Sequence, residues 1–518
     1  MERTTLWFMV LLGCGSGDDA PAEPPAPTAD TGPVDPWSLA DFPEPSDWSA
    51  AGPGASSRSF TQDELLTPCG NILGGPGDVE HHNLSVIYDG YLVHPWAPED
   101  GGGGISFFDA SDPCQPQLVG QVWADKMRET HALAFGEGPD GRRYLAVDMH
   151  ESSAVGGVGF FDITDPADPR WVSELATPDY YYPDAYLRVT FGSFWQGDYL
   201  YVAAAFNGVH VIDVSDPLNP ELAATWTFDG PHLVGNVIVV GNIAMTASAG
   251  LPRVVFLDIS DPLAPQPIPG GDILTVSEDG SLETSYFNSW SGKYAFFARN
   301  TDGGGPIVYD VSDPSAPRWV AQAVSPEGDG GYVYRHGSLV VQGESEHGAI
   351  YDFVGETITE VARVDVPGDL DTISPLGNVA VVSVDEKGDP GQASTVFPVA
   401  TEPDRTAPVA ELHFPVDGAV GEAVTSRIGV SFDEWVEWAS VHRGSFRVVG
   451  PDGEVPGRFN VQEAVVNFSP VEPLQPGTTY QVWLPAGGIA DVSGNPLATE
   501  LRFAFTTEEV ATSTGSAE

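Results

Sequence analysis

Val209-His210-Val211-Ile212-Asp213-Val214-Ser215-Asp216-Pro217-Leu218-Asn219-Pro220 is the stretch on which the fold turns. A short strand-type run meets an aspartate, a hydroxyl residue, a second aspartate and two spaced prolines. The phrase recurs with its aspartates at Asp109 and Asp112, Asp162 and Asp165, Asp258 and Asp261, and Asp310 and Asp313. Eroded copies follow at Ala349-Ile350-Tyr351-Asp352 and at Ser394-Thr395-Val396-Phe397. Neighbouring copies lie 42 to 53 residues apart, which makes seven units. Each unit has a second strand signal upstream of its anchor, such as Asp198-Tyr199-Leu200-Tyr201-Val202. A third run lies before that, and a fourth follows the second proline. Four short strands in a unit of this length are the arithmetic of a propeller blade. Solenoid repeats are usually shorter and less strand-dense.

The anchor has a physical cause. The first aspartate is placed to accept a hydrogen bond from the backbone two residues on, closing a turn after the third strand. The second precedes proline and is biased to extended geometry. The second proline then opens the outermost strand, where a missing N–H faces no neighbour. The rival reading is that these aspartates bind calcium, although the phrase lacks the kinked, glutamate-terminated loop of familiar calcium sites.

Composition agrees. The chain has 518 residues, with 59 Gly and 46 Pro and no collagen period, which points to many turns and an all-β protein. With 42% hydrophobic and 10% aromatic residues it is too apolar to be disordered. The formal charge of −53 repels phosphate backbones, so nucleic acid is excluded as a partner.

The strand-then-Asp-Val-Ser-Asp-Pro unit resembles the LVIVD repeat of bacterial surface and secreted proteins, over roughly residues 75–405. That resemblance implies a β-propeller and no particular biochemistry. After Thr406-Ala407-Pro408 the repeat stops. Phe414-Pro415-Val416-Asp417-Gly418, Val430-Ser431-Phe432-Asp433-Glu434, Leu474 to Tyr480, Ile489 to Leu497 and Phe503 to Thr507 resemble the bacterial Ig-like domain of S-layer proteins. Tyr480 is placed to anchor a strand corner through its hydroxyl. Asp491 and Asn495 suit a loop-closing hydrogen bond, with calcium as the alternative. Trp435 and Trp438 suit packing, with sugar stacking as the alternative. The fold expected is an all-β chain, a seven-bladed β-propeller followed by an Ig-like β-sandwich.

At the amino end, Leu6 to Leu12 is apolar, and Leu11-Leu12-Gly13-Cys14 resembles a bacterial lipobox. That implies removal of residues 1–13 and lipidation of Cys14, with residues 14–58 as an acidic, Pro-rich linker. The propeller is assigned to 59–405, the Ig-like domain to 406–508 and a polar tail to 509–518. The expected location is the cell envelope, at the outer membrane or cell surface, held by the lipid anchor alone. In that oxidising setting Cys69 and Cys114 are expected to form a disulfide, two buried thiols being the alternative.

No nucleophile elbow, P-loop, dinucleotide fingerprint or zinc-protease helix motif is present. One polar set stands out where each innermost strand begins: His81, His82, His131, Asp184, His232, Glu283, Asp329 and Asp371. Converging at one mouth of the channel, they would hold a divalent cation or a polar ligand. The alternative is that they are merely solvated or turn-forming. No catalytic residue is assigned. The function expected is a surface-anchored lipoprotein, a monomer, whose propeller serves as a scaffold for a protein or glycan of the envelope. The alternative is a metal-dependent propeller hydrolase using the channel-mouth set.

Overall fold

The computed structural model describes residues 49–72, 84–98, 102–152, 155–177, 192–384 and 394–509. Cys14, His81, His82 and Asp184 lie outside the described residues.

The repeat phrase folds as a four-stranded antiparallel sheet in every unit. In the third unit the strands are Ser193–Gln196, Tyr199–Ala203, Val209–Asp213 and Glu221–Trp226, paired in chain order. Seven such sheets follow one another, the blades of a seven-bladed propeller. Middle strands are covered on both faces, which is why Val209–Asp213 is buried until its last residue. Outer strands face solvent, and Glu221–Trp226 is exposed along most of its length.

Both aspartates of the phrase close Asx turns. Asp213 Oδ1 accepts from Ser215 N at 2.9 Å, and Asp216 Oδ1 accepts from Leu218 N at 3.1 Å. The same pair recurs at Asp109 and Asp112, Asp162 and Asp165, Asp258 and Asp261, and Asp310 and Asp313. These Oδ1 atoms hold turns together, and the second turn is a feature that the proline argument does not foresee. The outer strand starts at the residue after the second proline, as at Glu221 after Pro220.

The ring closes with a strand from the entry segment. The seventh blade comprises Thr372–Leu376, Val379–Ser383 and Ser394–Pro398, and its outermost strand is Gly70–Ile72. Gly70 pairs with Val396 and Ile72 with Ser394, antiparallel. Cys69, next to that strand, is bonded to Cys114 in the turn of the first blade. The ladder ties the entry segment to the last blade, and the disulfide ties it to the first.

Residues 410–507 build the second module. One sheet holds Ala410–Phe414, Ile428–Phe432, Val465–Pro470 and Gly457–Gln462. The other holds Ala419–Glu422, Leu501–Thr507, Thr479–Leu484, Arg447–Gly450 and Gly453–Glu454. Ile428, Val430, Phe446, Phe468, Val482 and Phe505 are among the residues that fill the sandwich. Tyr480 Oη accepts from Gln475 N at 2.7 Å, a strand-corner anchor. Asp491 closes its loop by accepting from the amides of Ser493 and Asn495, each at 2.8 Å.

The sandwich is docked on the propeller. Some of its contacts fall on the Ile259–Ser260 turn of the fourth blade, and many on the turns between the first and second strands of the blades. Five glycine amides in those turns donate to it. Gly90 donates to Glu437 Oε2 at 3.2 Å, Gly197 to Asn460 Oδ1 at 2.7 Å and Gly241 to Asn467 Oδ1 at 2.7 Å. Gly292 donates to the Phe432 carbonyl at 2.6 Å and Gly337 to that of Asp433 at 3.0 Å. Glycine is required at the contact itself: a Cβ on Gly429 would sit 2.0 Å from Gly241 N. Trp438 packs on Tyr88 and under the Arg143 guanidinium, so it serves the joint. The module thus covers one mouth of the channel. Its Gln462–Ala464 hairpin tip reaches the channel, where Glu463 lines two small voids.

Candidate metal centre

The last residue of the sixth blade's inner strand is His336, in Val333–His336. Two other segments meet it at the covered mouth. Asp404 comes from the segment leaving the seventh blade, where its Oδ1 accepts from Thr406 N at 2.9 Å. Glu434 comes from the Ig-like module, two residues past Ile428–Phe432. His336 Nε2 lies 3.5 Å from Asp404 Oδ2, and Nδ1 lies 3.2 Å from Glu434 Oε2. One ligand atom from each of the three residues falls within 4.8 Å of the others. Among the described residues this is the one group of three or more metal-ligating side chains so placed.

Burial governs the electrostatics. Glu434 is 1% exposed and His336 9%. Desolvation pushes the Glu434 carboxyl up, to about 9, against the pull of His336. For His336 desolvation acts downward, but the hydrogen bond with Asp404 and the charge of Glu434 outweigh it and raise it to about 9. Burial alone would raise Asp404. His336 and the Thr406 amide bring it down instead, to about 2. Two atoms are left over: Glu434 Oε1 and His336 Nδ1 are buried without a well-formed hydrogen bond. Buried polar atoms are normally satisfied, and a cation held by the three side chains would satisfy this pair. Asn495 Nδ2 donates to Asp404 Oδ2 at 3.3 Å, an outer contact that orients a ligand. An imidazole with two carboxylates is a donor set for a divalent first-row cation.

Of the residues expected at the other mouth, His131, His232 and Glu283 have side-chain partners within their own blades. His131 stands between Glu129 and Asp148, each at 3.3 Å. Desolvation would lower it, but those two carboxylates raise it to about 9. His232 Nδ1 meets Ser248 Oγ at 2.6 Å and Nε2 meets Thr246 Oγ1 at 2.9 Å, while burial and Arg253 drive it down to about 3. Glu283 pairs with Arg299 at 3.1 Å, both buried. Asp148, Thr246, Ser248 and Arg299 lie in the second strand of the same blade, so His131, His232 and Glu283 each tie their inner strand outward. The Asp329 carbonyl accepts from Ser345 Oγ at 3.3 Å and that of Asp371 from Tyr332 N at 2.7 Å. The structure does not gather these five into one ligand group. An aromatic column runs beside them: His131 on Phe287, Phe287 on Tyr332, Tyr332 on Tyr334, and Tyr334 against Trp435 of the second module.

Neither His336 nor Asp404 belongs to a local pattern, because the three ligands come from distant parts of the chain. The one sequence signal is Glu434, which closes the Val430-to-Glu434 landmark of the Ig-like module.

Fold and site together define an all-β protein, a propeller capped by a sandwich, with a metal-competent cluster at the joint. Residues 404–507 match the profile of the bacterial Ig-like domain, and residues 195–227 and 289–322 match that of the LVIVD repeat. The chain therefore contains an LVIVD-repeat region and a C-terminal Ig-like domain. No curated protein matches it. Among solved structures it is similar to a putative 6-phosphogluconolactonase from Bacteroides fragilis NCTC 9343, at 11% identity over 60% of this chain and 96% of that one, with a TM-score of 0.45. A periplasmic gluconolactonase from Pseudomonas aeruginosa matches at 14% identity over 62% and 88%, with a TM-score of 0.45. BamB from Moraxella catarrhalis matches at 11% identity over 64% and 97%, with a TM-score of 0.39. No function is carried over from these three.

Proposed function

We propose that this chain is a metal-dependent propeller protein of the cell envelope whose cation centre supports hydrolytic chemistry. The observation that carries the reading is the meeting of His336, Asp404 and Glu434, with Glu434 Oε1 buried and without a hydrogen bond. His336, Asp404 and Glu434 would hold a divalent cation, which would supply Lewis-acid activation of water or of a carbonyl or phosphoryl oxygen. Lactones, phosphate esters and glycans are the substrate classes in view. The lipobox-like Leu11-Leu12-Gly13-Cys14 supports attachment by a lipid at Cys14.

A second reading rests on a different observation. His336 and Glu434 are buried under the Ig-like module and Asp404 is half-buried. A closed site of this kind suits a structural cation. In that reading the propeller is a scaffold, and its uncovered mouth binds a protein or glycan of the envelope.

Elemental analysis of the purified chain, followed by a broad hydrolase screen, separates the readings. One divalent cation per chain with turnover lost in Glu434→Gln supports the hydrolase. One cation without turnover supports the scaffold. A metal-free chain after purification and zinc or manganese incubation overturns the metal-dependent reading.

A further inference from the structure

We infer that a divalent cation on His336, Asp404 and Glu434 is the clasp that seats the Ig-like module over the channel mouth, so that metal occupancy and docking form one equilibrium. The inference rests on the metal-dependent reading above. Its ground is the origin of the ligands. One belongs to the sixth blade, one to the connecting segment and one to the docked module, so the full set exists only when all three segments are together.

The clasp shares its backbone with the joint. Gly337 follows His336 and Asp433 precedes Glu434, and the Gly337 amide donates to the Asp433 carbonyl at 3.0 Å. Ordering the two side chains on one ion therefore orders this hydrogen bond as well. Charge points the same way. Glu434, Glu437 and Asp491 are buried at or beside the joint. The arginines there are taken: Arg143 pairs with Asp89, and Arg335 forks onto both oxygens of Glu411 at 2.9 and 3.1 Å. That leaves His336 facing Asp404 and Glu434 with no arginine bridging the two carboxyls, the place a divalent cation would take. A ligand that binds only the docked form shifts docking in proportion to its occupancy. At free metal a hundredfold above Kd the shift is about a hundredfold.

Hydrogen exchange read by mass spectrometry on the full chain tests this, comparing zinc-loaded protein, EDTA-treated protein and the variants His336→Ala and Glu434→Gln in zinc. Elemental analysis is run on each sample. The expected result is exchange at least tenfold faster at peptides covering Gly241, Gly292 and Gly337 in EDTA and in both variants. Peptides covering the blade strand Pro306–Asp310 should keep their protection, which shows that the propeller is folded. Zinc bound at one per chain with unchanged exchange on its removal overturns the clasp and leaves the metal reading standing. No bound zinc overturns both.

Discussion

Asn467 of the Ig-like module holds the fourth blade of the propeller through both ends of its side-chain amide. Oδ1 accepts from Gly241 N at 2.7 Å, and Nδ2 donates to the Val239 carbonyl at 2.8 Å. Gln196 of the third blade adds a third bond to Oδ1 at 3.1 Å. Asn467 is fully buried, so no water replaces these partners when the side chain is lost. Asn467→Ala is expected to lower stability by about 2–4 kcal/mol, since each buried group left unpaired costs about 1–3 kcal/mol. Denaturant unfolding followed by tryptophan fluorescence checks it. A change below about 0.5 kcal/mol would mean that the joint is not a packed interface.

The clasp between first and last blades gives a second expectation. The bond from Cys69 to Cys114 closes a loop with a sequence separation of 45. Loop-closure entropy then contributes about 3–4 kcal/mol. The double variant Cys69→Ser/Cys114→Ser should melt at lower temperature, and the wild type should fall to the same value under reductant. Two titratable thiols in the denatured, unreduced wild type would contradict the bond.

Glu463 supplies a pH dependence. Its carboxyl lines voids of about 20 and 10 Å³ at the tip of the channel hairpin, and burial alone raises it to about 8. A raised carboxyl binds its proton more tightly folded than unfolded. Its stabilisation is therefore full below the ordinary value of 4.5 and is lost as pH rises towards 8. Glu463→Gln carries no such charge. The variant should match wild type near pH 4.5 and exceed it in melting temperature at pH 9. Equal melting temperatures at pH 9 would place the carboxyl in water.

Cys14 gives an expectation outside the described residues. If it carries the lipid, Cys14→Ser should leave the membrane fraction or remain unprocessed. A wild type that is soluble and carries no acyl chain contradicts the anchor.

What the sequence discloses and what it hides have separate physical causes. The blades are legible because one turn phrase recurs with both aspartates in place, as at Asp213 and Asp216, and because each strand run has a local pattern. The closing strand Gly70–Ile72 is hidden because three residues carry no periodicity, and their partner at Val396 is more than three hundred residues away. Polar residues at the heads of the inner strands stand out in the sequence, but their partners do not. Their partners explain them: His232 meets Thr246 and Ser248 one strand outward, a pairing that needs the hairpin register to be seen. The ligand set at the joint is hidden for a related reason. His336, Asp404 and Glu434 become neighbours only when the second module sits on the first, and no local spacing encodes that docking.

The central claim is that the joint between propeller and Ig-like module is a metal centre. Anomalous diffraction from crystals of the full chain grown with zinc, recorded above and below the zinc edge, tests it most directly. The account predicts one strong peak about 2.0–2.2 Å from a ring nitrogen of His336 and from carboxylate oxygens of Asp404 and Glu434. No peak there, with the imidazole paired directly to both carboxylates, would contradict it.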